Sequence, residues 1–255
     1  FGRVGLSHLA RNALVFRHWP EPAEDVVMRR MHLAENLNLL SGTAKVGGFF
    51  SMWFHPQEEV MSALYSEEDE ITEAIGDFLA IRLVKTFRNG LHWRERPNAM
   101  PLVTAGQRPV FLDGSGVLDG MMSADFDPRK TVFLPGAAAE AVRISGSPDA
   151  RVNGVSVRAH EITCEVTTQE AALVVIAQGH YPRWVCRVGG EETPIYRANN
   201  AFQAVVVPAG THAVRLSYED VWFRLGTWVS LAAWFLAIPV WRSSPSISGR
   251  VGRSD

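Results

Sequence analysis

Hydrophobic and polar positions fall into three regimes along the chain. Over residues 1–85 apolar side chains recur at helical spacing, first at 23–40 and again at 57–64. The run Glu67-Glu68-Asp69-Glu70 then places acids at the start of a further helix, where the macrodipole favours them. Such a run reads as a solvated first turn. That helix continues through Ile71, Ile75 and Phe78 and gives way to a short strand at 79–84. Between Pro97 and Pro135 turn residues break the chain into short extended pieces, such as 108–112 and 131–134, with 111–116 as a flexible loop.

From about Ala139 to Tyr218 the period becomes two. Strands are expected at 142–145, 152–159, 162–167, 172–177, 184–188, 194–197, 202–207 and 213–218. Asn153-Gly154, Gly189-Gly190 and Pro208-Ala209-Gly210 supply turn chemistry between or within them. Regular strands with short turns predict a β-sandwich of about 80 residues.

The third regime is continuous rather than periodic. From Leu225 to Trp241 there are 17 residues without a charge, with only Thr227 and Ser230 as hydroxyl groups. As a helix this spans about 25 Å, just short of a hydrocarbon core of about 30 Å. Trp222 and Trp241 fall where lipid headgroups would lie, and Arg224 and Arg242 close the two ends. Arg242, Arg250 and Arg253 follow the run, which predicts a cytoplasmic C-terminus and an outward-facing bulk. The competing reading is a buried core helix, which Pro239 favours.

The fold class expected from these regimes is α+β. A mixed α/β part occupies 1–137, an antiparallel β-sandwich 138–221, a C-terminal transmembrane helix 222–242, and a disordered cytoplasmic tail 243–255. A net charge of −2 gives no electrostatic case for nucleic acid. The chain begins at Phe1 without a signal peptide, so an outward-facing domain implies upstream membrane helices and a longer parent protein.

Chemistry is thinly marked. Cys164 and Cys186 fall in two expected strands; a disulfide and two unpaired thiols are both open. Asp125-Phe126-Asp127 has the spacing of a metal-holding acid pair, but Asp127-Pro128 reads better as a turn into 131–134. The eight histidines, His55, His92, His180 and His212 among them, lack zinc-ligand spacing. No metal or cofactor is expected, and no phosphate loop or nucleophile elbow occurs. Tyr181, Trp184, Tyr196, Arg197 and Asn199 form a candidate glycan patch, with rings to cover a pyranose and polar groups to bind its hydroxyls. The alternative turns Trp184 and Tyr196 into the core and leaves Arg197 and Asn199 satisfying loop backbone.

Several segments, in order, resemble the C-terminal part of the YfhO family of bacterial polytopic membrane proteins. They are Tyr181-Pro182-Arg183-Trp184, Tyr196-Arg197-Ala198-Asn199-Asn200-Ala201-Phe202 and Val207-Pro208-Ala209-Gly210-Thr211-His212. Upstream, Glu35-Asn36-Leu37-Asn38-Leu39-Leu40-Ser41-Gly42 with Gly47-Gly48-Phe49, the strand at 79–84, and Asn98-Ala99-Met100-Pro101 are similar to family segments. Arg183 stands where the family has Gly, so that turn is not expected to need a positive φ. Leu102 stands where Arg is common. The resemblance implies a multi-helix glycosyltransferase that uses lipid-phosphate sugars to glycosylate cell-envelope polymers or lipids. Its catalytic acid is expected in an early outward loop, outside this chain. The chain itself is then a non-catalytic extracytoplasmic domain. Its implied partners are the bilayer, the upstream transmembrane helices, and an envelope glycan or lipid-linked sugar. A membrane-anchored carbohydrate-binding module, or an envelope protein-interaction domain without enzyme activity, is the alternative.

Overall fold

Along β8 (Glu161–Thr168) Ile162, Cys164, Val166 and Thr168 are buried while Glu165 and Thr167 are exposed, the alternation of a half-buried strand. In the computed structural model, which describes residues 3–6, 22–31, 33, 36–47, 54–66, 71–86 and 92–243, β8 lies inside a five-stranded sheet. Its order is β11 (Glu191–Thr193), β10 (Trp184–Val188), β14 (Gly210–Tyr218), β8 and β7 (Ala150–Arg158). A four-stranded sheet completes the sandwich, in the order β12 (Ile195–Ala198), β13 (Phe202–Val207), β9 (Ala172–Ile176) and β4 (Val103–Ala105). All three of its pairings are antiparallel.

Strand β9 is buried at every position, because it is covered on both faces. On the side away from the sandwich core lie α2 (His55–Leu64) and α3 (Glu73–Phe78), with Phe78 meeting Phe202 edge-on at 5.0 Å between ring centroids. One continuous apolar core joins Val60, Leu64, Ile75 and Phe78 to Leu173, Val175 and Val205. Each large aliphatic side chain so buried contributes about 1.5–3 kcal/mol. Alongside run a three-stranded sheet of β1 (Arg3–Leu6), β2 (Ile81–Thr86) and β3 (His92–Glu95), and a parallel pair of β5 (Arg108–Phe111) and β6 (Thr131–Leu134). Helix α4 (Gly116–Met122) connects β5 to β6, and α1 (Pro22–Met31) precedes α2.

The α+β class and most strand positions agree with the sequence pattern, and β10 and β13 occupy the expected residues. Gly189 and Gly190 turn the hairpin between β10 and β11 with φ of 60° and 95°. Asn153-Gly154 is a bulge within β7, where the register against β8 shifts and Gly154 has φ 61°. Four expectations are corrected. No strand forms at 142–145, because the N–H of Val142 donates back to the Ala138 carbonyl (2.9 Å) in a turn rather than into a ladder. The loop at 111–116 runs into α4, whose Val117 and Met121 are buried one turn apart. The helical stretch at 23–40 is split: Leu33 takes φ 53°, separating α1 from a 3-10 turn at Leu37–Ser41. Arg183 does adopt a positive φ, 93°. The acidic run Glu67–Glu70 lies outside the described residues, as do Glu35, Gly48 and Phe49.

Strand β4 comes from the segment before residue 137 yet supplies an edge of the sandwich, and the chain forms one compact unit over Phe1–Ser217. The second unit, Tyr218–Asp255, contains α5 (Val221–Ser243). Asp220 caps it: Oδ1 accepts from the N–H groups of Trp222 (3.0 Å) and Phe223 (3.1 Å). Thr227 turns its hydroxyl inward, donating to the Phe223 carbonyl at 2.9 Å. No helix among the described residues is long and apolar enough to cross a membrane, with Arg224, Thr227 and Ser230 interrupting the described apolar run of α5.

Candidate functional site

Glu73 and Asp77 stand four residues apart on α3 and so share a face. Between them lies Arg96, 1% exposed, just beyond the end of β3. Its Nη2 donates to Glu73 Oε2 (2.5 Å), Asp77 Oδ1 (2.7 Å) and the Glu73 carbonyl (2.8 Å), and its Nη1 donates to the Ile81 carbonyl (3.0 Å). Gly76 makes the space; a Cβ there would sit 2.8 Å from Arg96 Nη1. A buried guanidinium is tolerated because two carboxylates and two carbonyls replace its water. Burial alone would raise the Glu73 carboxyl, but Arg96 and Arg94 hold it below the usual range.

The network reaches the surface through Arg129. Its Nη1 donates to Asp77 Oδ2 (3.1 Å) and its Nη2 to the Asn98 carbonyl. Asp77 therefore serves two guanidiniums, of which Arg129 is the open one, with 47% of its side chain exposed. Beside it a cleft of about 390 Å³ is walled by the turn at 97–101, by Thr104 and by Gln107. Gln107 is 2% exposed; its Nε2 donates to Thr104 Oγ1 (2.6 Å) and points to the Pro128 carbonyl (3.4 Å). Its Oε1 is buried and meets no donor. Asn98, Ala99, Met100 and Pro101, one of the segments carrying the family resemblance, line this cleft. Leu102 is buried, 2% exposed, its carbonyl accepting from Ala177 N–H. None of Asp77, Arg96, Gln107 or Arg129 was singled out from the sequence. The available signal was the four-residue spacing of Glu73 and Asp77.

The five residues of the candidate glycan patch take different environments. Tyr181 is 45% exposed and lies against Phe54, ring centroids 4.8 Å apart. Trp184 and Tyr196 are half-buried and pack on the core. Arg197 is exposed on β12. Asn199 is 1% exposed, and its side chain serves backbone: the Phe133 N–H donates to Asn199 Oδ1 at 2.9 Å. His180 connects the Tyr181 turn to β12, hydrogen-bonding at the Ile195 backbone beside Arg197; burial holds its imidazole below the ordinary value.

The remaining candidates resolve simply. Cys164 and Cys186 are free and buried, so no disulfide forms. They sit on β8 and β10 with β14 between them, a spacing of about 9–10 Å that a disulfide's Cα separation does not span. Burial pushes the Cys164 thiol up to about 11 and that of Cys186 to about 12. Asp127 is a turn residue, accepting from the Arg129 N–H (3.0 Å) and pairing with Lys130 (3.0 Å), while Phe126 stacks on Phe133. No group of three or more His, Cys, Asp or Glu suited to a metal comes together among the described residues. Trp222 and Arg224 are exposed on the first turns of α5; the side chains of Trp241 and Arg242 lie outside the described residues.

No protein-family model, curated protein or solved structure matches this chain.

Proposed function

We propose that this chain is the C-terminal extracytoplasmic, non-catalytic portion of a YfhO-like polytopic membrane glycosyltransferase that modifies cell-envelope polymers or lipids. In this reading α5 holds the chain at the bacterial cytoplasmic membrane and the β-sandwich faces outward, positioning an acceptor for upstream catalytic loops. The observation that carries it is the surface of α5. Trp222, Phe223, Trp228, Trp234 and Phe235 are all more than 60% exposed. From Val221 to Phe235 the polar side chains are only Arg224, Thr227 and Ser230. A helix apolar on nearly every side is not at rest in water and calls for lipid or other apolar cover. Tryptophans with flanking arginine suit the headgroup layer.

The test is flotation of the chain with phosphatidylglycerol vesicles, beside a variant with Trp222, Trp228 and Trp234 changed to Ser. The native chain floats and the variant does not. In the intact parent protein, deleting residues 3–217 abolishes envelope glycosylation while leaving the upstream helices inserted. A native chain that stays in the aqueous fraction removes the membrane reading, and undiminished glycosylation removes the transferase role. The second reading, a membrane-anchored carbohydrate-binding module, is favoured by the exposed ring of Tyr181 braced on Phe54. Glycan affinity that is lost in Tyr181→Ala, with glycosylation unaffected by the deletion, selects it.

A further inference from the structure

The cleft beside Arg129 combines three features that point to one ligand chemistry. Arg129 offers a half-exposed guanidinium whose salt-bridge partner among the described residues, Asp77, is shared with Arg96. Thr104 accepts from Gln107 Nε2, which leaves its own O–H to donate. Gln107 Oε1 is a buried acceptor without a donor, and the Pro128 carbonyl 3.4 Å from Nε2 suits a nitrogen at that end of the amide. We propose that this cleft binds a small hydroxylated carboxylate, whose acid group pairs with Arg129 and Thr104 and whose hydroxyl donates to Gln107 Oε1.

The anion is a carboxylate by geometry and charge. A guanidinium fork matches a planar monoanion. Asp77 stands behind the fork, and a phosphate dianion would meet its repulsion. The hydroxyl is called for because a carboxylate has no proton to give Gln107, and a buried acceptor left unmet is destabilising. Pro97, Met100 and Pro101 give the cleft an apolar wall for a short carbon chain. The walls are already fixed: the N–H of Met100 donates to the Asp77 carbonyl (3.0 Å) and that of Ala99 to the Arg96 carbonyl (3.3 Å), so little ordering is left for binding. The inference goes beyond the membrane reading and does not depend on it.

Nuclear magnetic resonance titration of the full chain with D-glycerate, propionate and glycerol tests it. Glycerate, with both groups, is expected to bind at least about tenfold more tightly than propionate or glycerol, each of which has one. Amide shifts should centre on Thr104, Gln107 and Arg129. R129Q and Q107L should each weaken glycerate about tenfold, while the exposed control R143Q leaves it unchanged. Where Q107L does not fold, T104V reports on the same end of the cleft, with a loss of about threefold or more. Equal affinity for glycerate and propionate, affinity indifferent to R129Q, or no shift at about 20 mM glycerate overturns the proposal.

Discussion

Asn199 and Phe133 exchange two hydrogen bonds: the Phe133 N–H donates to Asn199 Oδ1 and the Asn199 N–H donates to the Phe133 carbonyl, both at 2.9 Å. The exchange fastens the free edge of β6 to the loop after β12, with Asn199 held at φ 44°. Asn199→Ala removes the acceptor and places an alanine in the left-handed region, so a loss of about 2–3 kcal/mol is expected. Asn199→Gly keeps the backbone geometry and should lose only about 1–2 kcal/mol. Urea unfolding of both variants checks this; a pair indistinguishable from the parent would show the bond to be idle.

Arg183 sits exposed at φ 93°, a region costly for a side chain with a Cβ. Replacing it by Gly relieves about 1–2 kcal/mol of strain against about 0.5–1 kcal/mol of added chain entropy. Arg183→Gly should therefore raise stability by about 0.5–1 kcal/mol. A lower melting temperature would mean that the arginine makes a compensating contact worth more than the strain.

The particular elements show where sequence reading succeeds. Strands β10 and β13 were legible because the Gly189-Gly190 turn and a run of β-branched residues mark their ends independently. Helix α4 was not, because its seven residues include Gly116 and Gly120, both poor helix formers. Tertiary packing demands Gly120, since a Cβ there would lie 2.8 Å from the Phe133 ring. The charged cluster was hidden for a related reason. Arginine reads as surface, and the burial of Arg96 follows from the gap over Gly76 and from two acids that only the folded α3 aligns.

That cluster makes its own prediction. Arg96→Met leaves Asp77, 7% exposed, with only Arg129 as a guanidinium partner among the described residues. Breaking a buried pair costs about 3–5 kcal/mol. Because Asp77 also receives the Met100 N–H at its carbonyl, the turn at 97–101 should loosen and its amides exchange faster. Native-state hydrogen exchange confined to the global rate would contradict the coupling.

The two thiols are expected to be inert. With values near 11 and 12 for Cys164 and Cys186, thiolate is scarce at pH 8 and the sulfurs are covered. A thiol reagent should titrate neither cysteine in the folded chain and both in guanidinium, and dithiothreitol should leave the melting temperature unchanged. A reductant-sensitive melt would indicate a disulfide between the two.

His180 gives the chain a pH response on the mildly acidic side. Burial lowers its value, hydrogen bonds at the Ile195 and His180 backbone oppose that in part, and the charge of Arg197 adds to the lowering. A base with a lower value folded than unfolded binds its proton less readily in the folded state. Its contribution is fully present above the unfolded value, near 6.5, and is lost as pH falls from there through the folded value. Stability measured by urea unfolding should therefore decline as pH falls from about 7 to about 5. His180→Gln should flatten that window, whereas the loss of Glu73 ionisation, an acid held low, enters only further down. An unchanged slope in His180→Gln would assign the decline to another group.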